Sequence, residues 1–402
     1  MQDSTPRPRI LYLATTFPRF SETFLQREVA HLRTLPLQLD VRSLWGGPGE
    51  FEGSPVRTSS LRNLPGALAS IPGWTLRKPR AFQQVLGTVL GRRLPMVQNW
   101  LENFWGFAWA LQNADELLRQ PPGLVHATWG TMPAAAALAL HVLTGLPYSM
   151  EAHAYDVYKH GGDWLLDEKM RHARFVRTST RSTRDRLLQA GAPPERLHLV
   201  RRGINPAATA QTTTRQGQQL RILSVGRLVE KKDFSFQLEV FEQLAAESFP
   251  FHAEIVGHGP MEGQLRREAR RRGLDRHLDF RGRLDYSNVE EAYRQADVFL
   301  FSGKVARNGD RDGLPNVVAE AMSHRLPVLT SPVPGALEAI EHGRTGLALH
   351  KDSRRWADAL RTLRERPDLD DLRNQASSWV HENFDIRKNA ATLGALLQEH
   401  AH

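Results

Sequence analysis

The chain has 402 residues, 41% of them apolar and 24% charged, which suits a globular protein of two domains of about 200 residues each. It has no cysteine, so disulfides, thiolate metal sites and a cysteine nucleophile are excluded. Its net charge of +9 lies in the first half: residues 1–203 carry 25 Lys+Arg against 16 Asp+Glu, whereas the remainder balances at 28 against 28. The opening Met1–Pro6 lacks the basic-then-apolar layout of a secretory leader, and no apolar run approaches the ~18 residues that cross a bilayer, so a cytoplasmic location is expected.

Arg9–Ala14 is a short apolar run that predicts the first buried strand, followed by a polar turn (Thr15–Thr23), a helix over Thr23–Leu35 and a second strand over 38–44. This order is the start of a βαβ unit, which implies a parallel sheet with ligands bound beyond the carboxyl ends of its strands. Residues 46–101 are rich in Gly, Pro, Arg and aromatics and predict irregular connections plus amphipathic helices. Within them, residues 53–101 hold seven cations (Arg57, Arg62, Arg77, Lys78, Arg80, Arg92, Arg93), no acid, and Trp74, Phe82 and Trp100. Such a window suits an anionic membrane surface and equally a solvated insertion; nucleic acid is not among the expected partners. A long helix is expected over Val97–Arg119, a buried helix at Ala134–Leu140, and strands at Leu124–Thr128, Pro147–Glu151, Phe175–Ser179 and Leu197–Arg201. His153 and Asp156 follow one of these strands, where active sites form, although a structural histidine reads as well.

Residues 206–219 are small, polar and aperiodic and read as a linker between a first domain (1–205) and a second (220–380). The second half restarts the alternation, with strands at Leu220–Val225, His252–Val256, Leu278–Arg281, Val298–Ser302 and Pro327–Thr330. Residues 381–402 form a last helix expected to pack back on the first domain. Strand 220–225 runs into Gly226-Arg227, with Lys232 five positions on, a pattern that suits a phosphate clamp or ordinary surface charge. The next strand ends in Val256-Gly257-His258-Gly259-Pro260, a turn open to close ligand approach. A polar loop then leads to Asp312-Gly313-Leu314-Pro315-Asn316-Val317-Val318-Ala319-Glu320. Here an acid on a loop and an acid inside a helix address one place, where the free N–H groups of the helix start also favour an anion. Read alone, Asp312 is equally a helix cap. The Asp310-x-Asp312 pair offers too few oxygens for a metal site.

The order Gly226-Arg227 with Lys232, Val256-Gly257-x-Gly259-Pro260, and Asp312-x7-Glu320-Ala321-Met322 resembles the GT-B retaining glycosyltransferases of family 4 type. Ser21-Glu22-Thr23-Phe24, His153-Ala154-Tyr155-Asp156, Arg202-Gly203-Ile204-Asn205, Pro334-Gly335 and Gly343-Arg344-Thr345-Gly346 extend the resemblance over nearly the whole chain, and the Ser-Glu-Thr-Phe opening looks most like the colanic-acid and exopolysaccharide branch. The resemblance implies two doubly wound Rossmann-like domains facing a central cleft, and transfer of a sugar from a nucleotide-sugar to a glycan or lipid-linked acceptor without a metal or other cofactor. It implies that Arg227 and Lys232 hold the donor diphosphate, that Glu320 holds the ribose, and that Gly257, Leu284, Leu314, Pro315 and Asn316 border the donor. His153 and Asp312 would act at the transferred sugar, and Glu22 and Asp156 on the acceptor side. Asp312 departs from the glutamate common at its position and is one methylene shorter. The rival readings are a nucleotide-sugar epimerase or hydrolase of the same fold and a non-catalytic sugar-nucleotide-binding protein.

Overall fold

The computed structural model describes residues 7–20, 22–90, 96–207 and 219–401. The chain divides into two units, Met1–Gly203 with Ile386–His402, and Ile204–Asp385. In each, short strands that are apolar on both faces alternate with helices, the pattern of parallel sheets covered on both sides.

The first unit runs β1 (Arg9–Ala14), α1 (Thr23–Leu32), β2 (Gln38–Ser43), β3 (Glu50–Phe51), β4 (Ser54–Pro55), β5 (Arg57–Thr58), α2 (Leu64–Arg77), α3 (Pro79–Leu90), α4 (Val97–Arg119), β6 (Leu124–Ala127), α5 (Met132–Thr144), β7 (Tyr148–Glu151), α6 (Tyr155–Tyr158), α7 (Leu166–His172), β8 (Val176–Thr178), α8 (Arg181–Gln189) and β9 (Leu197–Leu199). Its parallel seven-stranded sheet has the order β5-β2-β1-β6-β7-β8-β9, and β3 and β4 form a separate hairpin. The alanine-rich α5 is buried along its length and stops at Gly145, whose φ of 82° closes the helix by donating to the His141 carbonyl. α4 packs on α5 so closely that a Cβ on Gly106 would stand 2.5 Å from the Met132 carbonyl oxygen.

The second unit runs β10 (Leu220–Val225), α9 (Phe234–Ala246), β11 (Phe251–Val256), α10 (Glu262–Arg271), β12 (Leu278–Gly282), α11 (Tyr286–Gln295), β13 (Val298–Phe301), α12 (Asn316–Ser323), β14 (Val328–Thr330), α13 (Pro334–Leu337), β15 (Leu347–Ala348), α14 (Ser353–Arg361) and α15 (Leu369–Asn383). Its parallel six-stranded sheet has the order β12-β11-β10-β13-β14-β15. The chain then returns to the first unit as α16 (Ile386–Glu399), whose Leu393 and Leu397 share a core with Leu25, Val29 and Leu32 of α1. In both sheets the strand order reverses beside the first strand, at β1/β6 and at β10/β13, where doubly wound sheets leave a crevice beyond the strands' carboxyl ends.

The basic window departs from the expected exposed surface. Trp74 is buried, its Nε1 donating to the Leu111 carbonyl at 3.1 Å as α2 packs on α4. Arg77 forks onto both oxygens of Asp115 at 2.8 and 2.9 Å, Arg57 meets Glu116 at 2.5 Å, and Lys78 donates to the Leu143 carbonyl at 2.9 Å. The window holds no acid of its own because its acids come from α4. Arg62 and Arg80 stay exposed; Arg92 and Arg93, like residues 208–218 of the expected linker, lie outside the described residues. Among the described residues, no helix is long and apolar enough to cross a membrane.

Candidate active site

The second unit gathers its charges at the β10/β13 switch point. β10 delivers Gly226 and Arg227, a 3-10 turn over Glu230–Lys232 follows, and the loop after β13 brings back Asp310 and Asp312. Lys232 Nζ stands 2.8 Å from Asp312 Oδ2, and Lys231 Nζ lies 3.0 Å from Asp310 Oδ1 and 3.6 Å from Asp312 Oδ1. Thus the two aspartates meet at ammonium groups. Lys232 also lies over the Phe301 ring, 4.8 Å from its centroid. Burial pushes the Lys232 ammonium down, an effect the Asp312 charge opposes. For Asp312, burial works upward, but Lys232, Lys231 and Arg227 outweigh it and hold the carboxyl below its usual range. Arg227 is exposed. Beside this cluster Asp233, in a left-handed conformation with φ 50°, takes Lys304 Nζ at 2.8 Å and a contact from Lys351.

Glycine is demanded where the turns meet. A Cβ on Gly257 (φ 146°) would stand 1.9 Å from the Gly226 carbonyl oxygen, and one on Gly335 would stand 1.9 Å from that of Gly313. Pro315 caps α12, and Asn316 is its first residue. Asn316 Oδ1 is buried without a hydrogen-bond partner among the described residues, at a helix start whose N–H groups also need acceptors. Glu320, one turn further, accepts from the Tyr293 hydroxyl at 3.2 Å through one oxygen. Leu314 and Leu284 are half-buried against the core beneath. The structure therefore brings Lys232 and Asp312 into direct contact, with Arg227 close enough to act on both electrostatically, and sets Asn316 and Glu320 on one helix.

In the first unit, the strand ends hold a closed network. Glu151, at the end of β7, is fully buried and accepts from Arg177 at 2.6 Å, Arg202 at 2.8 Å, His153 Nε2 at 2.8 Å and His126 Nε2 at 3.1 Å. Arg177 reaches Glu28 of α1 at 2.5 Å, and Glu28 accepts from Tyr12 at 2.7 Å. Burial would raise the Glu151 carboxyl, but the two guanidinium groups and the imidazoles hold it well below its usual range. Because a carboxylate only accepts, His153 carries its proton on Nε2, and Nδ1 accepts from Ser179 Oγ at 2.8 Å. Burial and the nearby Arg202 push the imidazole down to about 3, so the ring is neutral. Both of its nitrogens are engaged, and the ring edge faces Trp129, centroid to centroid 5.8 Å.

Asp156, expected on the acceptor side, is buried and builds the turn instead: its oxygens accept from the N–H groups of Gly130 at 3.0 Å, His153 at 3.1 Å and Ala154 at 2.8 Å. Glu22, at the start of α1, lies 3.4 Å from Arg19, and its charge is felt by Tyr155. Sequence reasoning gave no role to Glu28, Glu151, Arg177 and Arg202, the last of them noted only within its motif, and missed the clamp of Lys304 and Lys351 on Asp233. Glu151 and Arg177 had one signal, as ionisable residues within short strands buried throughout, whereas Glu28 in α1 and Arg202 beyond β9 carried none.

The model for the glycosyl transferase 4-like domain matches residues 21–203, and that for glycosyl transferases group 1 matches residues 219–366. A protein of Erwinia amylovora, the amylovoran biosynthesis glycosyltransferase AmsK, is 33% identical over 180 residues, 44% of each chain. A GDP-mannose-dependent alpha-(1-6)-phosphatidylinositol monomannoside mannosyltransferase of Mycobacterium tuberculosis is 29% identical over 192 residues, 45% of this chain and 50% of that protein. The chain spans about half the length of the curated relatives it matches. Among solved structures, Anabaena HepE in complex with UDP-glucose superposes with a TM-score of 0.73 at 16% identity, covering 98% of this chain and 100% of that one. The lipopolysaccharide outer core galactosyltransferase WaaB superposes with a TM-score of 0.66 at 12% identity, covering 97% and 99%. With one family model on each unit and the same fold throughout, the chain belongs to the GT-B glycosyltransferases of family 4 type.

Proposed function

We propose that the chain transfers a sugar, with retention at the anomeric carbon, from a nucleotide-sugar donor to a glycan or lipid-linked acceptor in polysaccharide or glycolipid biosynthesis. The observation that carries this reading is the half-open ion cluster of Lys231, Lys232 and Asp312 beside Arg227 at the β10/β13 switch point. A departing nucleoside diphosphate develops negative charge, and fixed cations in a low-dielectric site stabilise it most when they need not reorganise. Arg227 and Lys232 supply that charge, aided by the N–H groups at the start of α12, so no metal is invoked.

Glu320, one turn into α12 beside Asn316, is assigned to the ribose hydroxyls. Asp312 is assigned to the transferred sugar; the donor phosphate then gives Lys232 a second anion beside the one it already holds. His153 brings the reaction a neutral ring fixed by Glu151 and Ser179, a positioned surface whose one N–H is already donated to Glu151. Relatives act in exopolysaccharide and glycolipid synthesis, which supports an acceptor reached at the cytoplasmic membrane face. Arg62 and Arg80 are the described cations of the basic window left for anionic lipid.

The test is nucleoside diphosphate release from UDP-, GDP- and ADP-sugars with and without a glycan acceptor, after a thermal-shift panel with the same donors. One donor should raise the melting temperature as it saturates, and turnover should require acceptor and survive a chelator. If no donor stabilises the protein, or if conversion runs equally fast without acceptor, the reading is wrong.

A further inference from the structure

Beneath the turn that carries Lys232, buried polar side chains form a chain with one direction. Backbone carbonyls only accept, so Ser302 Oγ, 3.0 Å from the Lys232 oxygen and 2.9 Å from that of Asp233, gives its one hydrogen to them. Its lone pairs then take Gln237 Nε2 of α9 at 2.9 Å. That turns the Gln237 carbonyl toward Ser224 of β10, whose hydroxyl donates to it at 2.8 Å. Ser224, Gln237 and Ser302 are all buried, and each is bonded to the next. The relay therefore runs from β10 through α9 to the residue after β13. It ends on the carbonyl of the residue whose ammonium faces Asp312.

The rest of the turn is tied to the same stretch. The Lys304 N–H donates to the Lys231 carbonyl at 2.8 Å, so three successive carbonyls, from Lys231 to Asp233, are held by Ser302 and Lys304. Lys304 Nζ returns to the carboxylate of Asp233, whose φ of 50° lies where side-chain-bearing residues seldom go. At the other end of Lys232, the Phe301 ring lies beneath the ammonium, and the stem passes Gly226, where an added Cβ would stand 3.4 Å from Cε. Consecutive residues, Phe301 and Ser302, thus grip the two ends of one lysine. An ammonium on a flexible four-carbon stem has a fixed place only if its backbone and its stem are both fixed.

We propose that Ser302 and Gln237 are positioning residues for the donor diphosphate: the relay sets the Lys232 backbone, and with it the point at which the ammonium meets phosphate. This rests on the assignment of Lys232 to the donor made above and adds what holds that lysine in place. A cation fixed beforehand stabilises an arriving anion more than one that must be ordered on binding.

The test is calorimetric titration of the full chain with UDP, GDP and ADP, with no acceptor present. The wild type should bind at least one of them, and Lys232→Ala should weaken that nucleotide by about tenfold or more. Ser302→Ala and Gln237→Met should each weaken it by about fivefold or more, with the far-ultraviolet circular dichroism unchanged. In a Lys232→Ala background, each should change the affinity by less than about twofold, because a relay that acts through Lys232 has nothing left to place. Adding Gln237→Met to Ser302→Ala should likewise change nothing further, since both break one relay. Equal losses with and without Lys232, or no loss from either variant, overturn the inference. If one variant fails to fold, the other decides; if both fail, the relay is a core element and the inference falls. An unaffected Lys232→Ala removes the lysine from the donor site and the relay with it. A wild type that binds none of the three nucleotides sinks the glycosyltransferase reading, whereas binding with uncoupled variants sinks the relay alone.

Discussion

Both units place carboxylates and cations at the carboxyl ends of parallel strands, yet the two clusters differ in kind. Around Glu151, every charge has a partner inside the protein: two guanidinium groups and two imidazoles converge on one carboxylate, and Arg177 is shared with Glu28. Around Lys232, the balance is incomplete. Asp312 and Asp310 share Lys231 and Lys232, Arg227 projects to solvent, and Asn316 Oδ1 has no partner among the described residues. A buried network whose charges are paired internally fixes shape, even with Arg202 Nε left without a hydrogen bond among the described residues, whereas one with charge turned to solvent is poised for a ligand. The first cluster accordingly belongs to stability and positioning and the second to binding and chemistry.

The sharpest way to break this contrast is Glu151→Ala. It strands Arg202 without its anion and leaves Arg177 with Glu28 alone, and denaturant unfolding should show a loss of about 3–5 kcal/mol. A loss below about 1 kcal/mol would mean that water already serves the network. Lys232→Ala should do the opposite, lowering kcat/KM by about 10²–10³ while leaving the unfolding midpoint within a small margin of wild type. A large stability loss with activity retained would exchange the roles of the two clusters.

Acid pH probes the closed network through His153. Its folded value of about 3 lies below its unfolded one, so below about pH 6.5 the unfolded chain binds the extra proton. Stability from this group is therefore full at neutral pH and falls as pH drops, by up to about 1.4 kcal/mol per pH unit. His153→Gln should flatten that slope between about pH 6 and 4; an unchanged slope would place a protonated ring in the folded state. The smallest effect is expected from Glu320→Ala, which should raise the donor KM about tenfold with kcat nearly unchanged, since a ribose contact is made equally in ground and transition states. A fall confined to kcat would move Glu320 to the reaction centre.

The strands were the most legible part of the fold. Arg9–Ala14 and Leu220–Val225 appear with the predicted limits because a parallel strand covered on both faces leaves a largely apolar run, broken in the second only by Arg221 and Ser224. Two-residue strands such as β5 and β15 carry no such run and went unread. The basic window misled for a different reason. Local sequence shows charge but not its distant partner, and Asp115 and Glu116 lie tens of positions from Arg77 and Arg57. Pro65 and Pro72 in α2 further disguise a helix that buries Trp74. At the donor-side cluster, the motif order named Lys232 and Asp312, but their 2.8 Å contact belongs to the fold, because Asp312 returns on a loop some 80 residues later. For Asp156, the sequence showed a carboxylate at a strand end and hid its three backbone donors, which only the turn geometry supplies.

The placement of α16 sets a schedule for synthesis. Leu393 and Leu397 complete the core around Leu25, Val29 and Leu32, yet they are made more than 350 residues after those partners. A ribosome that has finished Asp385 has already joined every residue of the second unit, whose core needs nothing from α16, while the first still shows α1 an empty groove. The half made first is thus the half finished last, and during that interval the α1 groove is the apolar surface for which a chaperone and a neighbouring nascent chain compete.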